Sequence, residues 1–138
     1  MSTPSYRLYG YTMSPFSMKM RSYLRYRRIP FEWVSGARAN EVAMTKVDTD
    51  MVPVLENAQG VFKNDSTFLI DELETLVLER RSDPEDEADA FLACLIEDYV
   101  DEWLLLPMFV QRWRHEADRL VNSNSTKPAA LKRFNDGR

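Results

Sequence analysis

Ser14-Pro15-Phe16-Ser17 sets two hydroxyls three residues apart around a proline suited to open a helix, because the N–H that proline lacks has no partner in a first turn anyway. A hydroxyl at a helix N-terminus stands in a positive field that favours an anion. Cysteines at both positions would make a thiol–disulfide exchange site with a depressed thiol pKa. With serines there, disulfide exchange is impossible, but a serine O–H can stabilise the thiolate of another molecule. A free thiol titrates near ~8.5, and each unit of lowering represents ~1.4 kcal/mol. A hydrogen bond to a charged acceptor is worth roughly 1.5–3 kcal/mol. One serine therefore supplies one or two units, enough to make the thiolate a major species at neutral pH.

Two further pairs complement that hydroxyl. In Met51-Val52-Pro53-Val54 a proline follows a valine at the start of an extended run, and a cis bond there would turn the Val52 backbone groups outward to pair with an extended peptide. Asp65-Ser66 precedes a helical pattern, where backbone N–H groups and a serine hydroxyl can hold a carboxylate and Asp65 can pair with an amine. The three together suit a small peptide that carries a thiol, an amine and a carboxylate.

Other residues have plainer readings. Tyr9 and Tyr11 offer phenols in place of Ser14, Tyr11 being the better placed, although packing or lining the pocket is the role expected of it. Ser17 reads as a first-turn helix residue. His115 is the single histidine, so neither a Ser-His-Asp triad nor a histidine-based metal site is drawn, and no metal is expected. Cys94, among Phe91, Leu95 and Ile96, reads as a small buried hydrophobe. The acidic run Glu85-Asp86-Glu87-Asp89 fits the first turn of a helix.

The positioning elements follow from pattern. Tyr6 to Tyr11 reads as a strand, and Phe16, Met20, Tyr23 and Leu24 recur at helical spacing up to Arg28, with Pro30 as a stop. Phe31-Glu32-Trp33-Val34 is a second strand, and a short helix is expected around Asn40 to Thr45. Val52–Leu55 and Val61–Lys63 flank a turn at Glu56–Gly60, a hairpin signal. Phe68, Leu69, Leu73, Leu76 and Val77 then follow a helical pattern. Ser82-Asp83-Pro84-Glu85 has the form of a capping box and is expected to open one long helix to about residue 114, kinked at Pro107. Domains are expected at 5–81 and 82–121, with a polar tail at 122–138.

The chain has 138 residues, 44% of them hydrophobic, with a net charge of −4 and one cysteine. That supports a real core and argues against nucleic-acid binding, which needs a basic face. The lone cysteine fits a reducing compartment. The N-terminus carries no signal-peptide pattern and no apolar run reaches membrane-spanning length, so a cytoplasmic protein without membrane association is expected.

Element order together with Ser14-Pro15-Phe16, Val52-Pro53-Val54-Leu55 and Asp65-Ser66-Thr67 resembles the N-terminal domain of glutathione transferases with a serine active site, over roughly residues 5–81. The resemblance implies an α/β fold: a thioredoxin-like four-stranded mixed sheet flanked by helices, followed by a short all-α segment. It implies glutathione as co-substrate, with Ser14 activating its thiol for attack on a small electrophile. Val52, before Pro53, would meet the cysteinyl backbone, and Asp65-Ser66 the γ-glutamyl group, where the family usually has Glu-Ser. Tyr11, Phe16 and Trp103 would line the pocket, and Arg38 or Lys46 would meet the glycyl carboxylate. About 55 residues follow Arg81, whereas the family's helical domain is far longer. A shortened member, a truncated product and a part of a longer protein all remain open. An exposed apolar helix face is then expected, with homodimer formation or other self-association as its outcome. The alternative to an enzyme is a non-catalytic glutathione-transferase-like module for protein association. A glutaredoxin-like redox protein is disfavoured by the missing Cys-x-x-Cys.

Overall fold

Leu8 and Leu55 lie opposite each other on the two central strands of a four-stranded sheet. The computed structural model describes residues 6–121, which divide after Ser82 into two compact units. The first contains β1 (Tyr6–Tyr9), α1 (Pro15–Tyr26), β2 (Phe31–Val34), α2 (Ala37–Met44), β3 (Val54–Asn57), β4 (Phe62–Asn64) and α3 (Ser66–Leu76). Strand order is β2-β1-β3-β4. β1 runs parallel to β2 and antiparallel to β3, and β4 is antiparallel to β3. A parallel pair needs a crossover, and α1 supplies it.

The alternation of strand side chains decides what each face covers. Leu8 and Leu55 meet Met20, Tyr23 and Leu24 of α1, Ile29, and Leu69 and Leu73 of α3 in one buried cluster. Each such side chain contributes about 1.5–3 kcal/mol on burial. Val54, adjacent to Leu55 and fully buried, points to the opposite face, and α2 packs against β1 and β3.

α1 ends as its sequence allows. The Ile29 N–H donates to the Leu24 carbonyl (3.0 Å) and the Arg28 N–H to the Arg25 carbonyl (3.1 Å). Arg28 takes the left-handed conformation (φ 57) that such a closure needs. Pro30 follows at once. In the hairpin, Gly60 has φ 75, and the Asn57 side chain accepts from the Gln59 and Val61 N–H groups at 3.0 Å each.

The second unit differs from expectation in three ways. The helix is not continuous: α4 (Glu87–Asp98), a π-helical turn (Tyr99–Trp103) and α5 (Leu105–Arg114) follow one another, with a further helical stretch over 116–121. The break falls before Pro107. The Leu104 N–H reaches back to the Tyr99 carbonyl (3.2 Å), so α5 starts afresh and Pro107 occupies its first turn, where a missing N–H costs nothing. The N-cap of α4 is Asp86, which accepts from the Ala88 and Asp89 N–H groups at 3.0 and 3.1 Å. Ser82 is committed elsewhere, to Glu74. Cys94 is exposed rather than buried, because α4 turns no residue into a core. No helix among the described residues is long and apolar enough to cross a membrane. The tail expected at 122–138 lies outside the described residues.

Candidate functional site

Tyr9, Val54 and Asn64 are register neighbours across β1, β3 and β4. β1 leaves the sheet at Tyr9 into the loop that carries Ser14, β3 enters it from Val52-Pro53, and β4 leaves it into Asp65-Ser66. All three motifs therefore emerge at one edge. β2 ends there too, since Val34 pairs with Tyr9, and α2 begins three residues later. With strands about 4.8 Å apart, the ends of β1 and β4 stand about 10 Å apart, close to the reach of an extended tripeptide.

Ser14 is the N-cap of α1, half-buried, with Pro15 at the first helical position. Its Oγ accepts from the Ser17 N–H at 3.2 Å, and its own N–H donates to the Tyr11 carbonyl at 3.0 Å. The cap uses a lone pair and leaves the hydroxyl proton for another acceptor. α1 carries no acidic residue in its first turn, so nothing there opposes the positive end of its dipole.

The Val52–Pro53 peptide bond is cis, with Pro53 buried and Val52 half-buried. Asp65 caps α3, its Oδ1 accepting from the Thr67 N–H at 3.1 Å. Its φ of 75 and ψ of 107 lie where a non-glycine residue sits at a cost of about 1–3 kcal/mol. Ser66, the first residue of α3, is buried. The Lys19 ammonium, on α1, donates to the Thr67 hydroxyl at 3.5 Å, tying the two helices that carry Ser14 and Ser66.

Tyr11 and Phe16 are half-buried on either side of Ser14. The Tyr9 hydroxyl is engaged within the sheet: it donates to Glu56 at 2.7 Å. Burial, and then the bond to and charge of Glu56, push its pKa up. Arg38 is in the first turn of α2, beside Tyr9, Phe62 and Val42 in an open groove, whereas Lys46 follows the far end of that helix. Trp103 belongs to the second unit, in its π-helical turn, and is exposed.

The sequence reading passed over residues that hold this edge in shape. Asn40, fully buried on α2, donates from Nδ2 to the Gly10 carbonyl at 3.1 Å. Gly10 donates to the Val34 carbonyl at 3.1 Å and packs against Ser17 and Trp33. The Arg21 guanidinium lies 5.0 Å from the Trp33 ring centroid. Further down, Glu74 accepts from the Ser82 hydroxyl (2.6 Å) and N–H (3.1 Å) and from Tyr23 (2.8 Å), and pairs with the fully enclosed Arg27.

Residues 8–81 match the glutathione S-transferase N-terminal domain. The chain belongs to the glutathione S-transferase family. No curated protein sequence matches it. Among solved structures, a glutathione S-transferase from Rhodospirillum rubrum is 21% identical with a TM-score of 0.60, covering 78% of this chain and 47% of its own. A Burkholderia glutathione transferase homologue with bound glutathione is 17% identical at a TM-score of 0.59, covering 70% of this chain and 56% of its own. The tau-class enzyme of mango, Mangifera indica, is 18% identical at 0.64, covering 94% of this chain and 61% of its own. These likenesses establish the thioredoxin-like fold with a helical second part, and this chain spans between about half and three-fifths of the length of those proteins.

Proposed function

We propose that this glutathione S-transferase family member binds glutathione along the sheet edge and that Ser14 stabilises its thiolate for attack on an electrophilic carbon. The observation that carries the reading is the register of Tyr9, Val54 and Asn64, which lines up Ser14, Val52-Pro53 and Asp65-Ser66 over the length of one tripeptide. Across that edge the order is α2 with Arg38, then Ser14, then Val52, then Ser66. It matches glycine, cysteine and γ-glutamate in sequence, with Arg38 as the cation for the glycyl carboxylate. Glutathione bound in the Burkholderia homologue supports the same ligand here.

The chemistry asks little of the protein. Ser14 donates its hydroxyl proton to the thiolate while its lone pair remains with the Ser17 N–H, and the positive end of α1 adds to the stabilisation. Orientation beside the electrophile and charge stabilisation supply the rest. Tyr11 and Phe16 flank the sulfur position. In the cytoplasm such an activity would serve detoxification.

Calorimetric titration of the protein with glutathione tests the reading: saturable binding in the micromolar-to-millimolar range is expected, and a folded protein that takes up none overturns it.

A second reading, association through the helical unit, is favoured by its surface. Phe91, Ile96 and Trp103 are each more than 60% exposed, at 67%, 61% and 67%, and apolar patches left in water commonly serve as interaction surfaces. Self-association as a homodimer is the form this takes, and sedimentation over a range of concentration reads it.

A further inference from the structure

Asn40 is the one fully exposure-free polar side chain that α2 sends into the first unit, at 0% accessibility, and its Oδ1 finds no protein partner among the described residues. Its burial is therefore spent on the Nδ2–H bond to the Gly10 carbonyl (3.1 Å). A buried asparagine with one unmatched oxygen is costly, and that cost marks the bond it does make. Gly10 joins β1 to the loop Tyr11–Ser14, whose last residue is anchored to the first through the Ser14 N–H and Tyr11 carbonyl (3.0 Å). Behind Gly10, Ser17 and Trp33 occupy the space where its Cβ would be, so the backbone is closely packed there. Asn40 fixes the remaining freedom, the orientation of the Gly10 carbonyl and so of the peptide plane that feeds the loop. Arg38, proposed to hold the glycyl carboxylate, is two residues away on the same helix.

We infer that Asn40 is a positioning residue, the joint through which α2 sets the loop that carries Ser14. This rests on the function proposed above. The joint couples the two ends of the ligand: a shift of α2, which carries the glycyl contact, is felt at the hydroxyl that activates the thiol.

Two variants, Asn40→Leu and Asn40→Ala, test this. The first fills the space without a donor; the second lets water reach the Gly10 carbonyl and keeps the test open where the first fails to fold. Amide hydrogen exchange at Ser14 in the ligand-free protein comes first, because it needs no glutathione: exchange about tenfold faster than in the unaltered protein is expected, the size of one lost hydrogen bond. Equal protection overturns the joint. The second readout is the pKa of the bound glutathione thiol, followed by thiolate absorbance. A rise of about half a unit to one unit is expected, with glutathione affinity within about threefold and conjugation at neutral pH down about three- to tenfold but recovering in alkali. An unshifted thiol pKa in a folded variant that binds glutathione overturns the positioning role, since a merely structural loss scales the whole pH profile down without moving it. Failure of the unaltered protein to bind glutathione overturns the proposed function instead, and the exchange measurement still decides the joint.

Discussion

A Cβ placed on Gly10 would stand 2.6 Å from the Ser17 hydroxyl oxygen and 2.7 Å from the Ser17 Cβ. The second contact is the severe one, because a Cβ is fixed by its backbone and cannot swing aside. Trp33 closes the remaining side at 2.9 Å. Gly10→Ala is expected to cost about 1–3 kcal/mol, the range for overpacking a tight interior, and the urea midpoint reads it. An unchanged midpoint would mean that β1 and α1 can part more easily than this packing implies.

Ser14 caps α1 and is proposed to donate to the glutathione thiolate, and Ser14→Ala separates the two roles by what each leaves behind. Loss of the cap should cost about 1 kcal/mol of stability. Loss of the thiol's donor should lower conjugation by about tenfold or more with glutathione affinity nearly unchanged. Activity that survives the change, at any stability, transfers the role to Tyr11.

At the other end of the edge, Ser66→Ala should weaken glutathione binding by about tenfold or more, the worth of a hydrogen bond to a carboxylate. Asp65→Asn keeps an oxygen for the Thr67 N–H and removes the charge. It should weaken glutathione while leaving an analogue without the γ-glutamyl amine unaffected. Isothermal titration with both ligands makes the comparison, and equal affinities throughout would remove the γ-glutamyl pocket.

Glu74 gives the first unit an acid limit. Burial on its own would raise its pKa, but hydrogen bonds from the Ser82 hydroxyl and N–H and from Tyr23, with the charge of Arg27, hold it at about 2 against an ordinary 4.5. A carboxylate with a lower pKa in the folded state contributes stability above its unfolded pKa and loses it as pH falls. The loss should run from just above pH 4.5 down to about 2 and total about 3 kcal/mol. Glu74→Gln should lower stability at neutral pH, since it leaves the Arg27 charge buried, and should flatten that acid limb. Denaturation midpoints that fall in parallel for both proteins would move the effect to another group.

Much of this could be read from residue order because the information is local. Ser14, Asp65 and Val52-Pro53 are each defined by their immediate neighbours, and the hairpin and crossover leave little freedom in how the strands pair. What stayed hidden depends on partners far apart. Arg27 reads as one more cation at the end of α1, yet it is enclosed because Glu74, 47 residues on, meets it. Ser82 has the look of a cap, and the same carboxylate claims it. Asn40 is one asparagine in a polar stretch until α2 turns it toward Gly10. Pro107 marks a break correctly but not its place, since a proline tolerates a first turn and the π-helical turn absorbs the discontinuity upstream.

The hold of Glu74 on Ser82 also sets where the first unit can be cut. Its last residue donates both its hydroxyl and its amide to a carboxylate in the interior, so the unit's terminus is part of its own electrostatic core. A fragment ending at Ser82 keeps that carboxylate fully solvated by protein. One ending a residue earlier would leave the same buried charge to Tyr23, Arg27 and Arg81 alone, although the two fragments contain the same strands and the same helices.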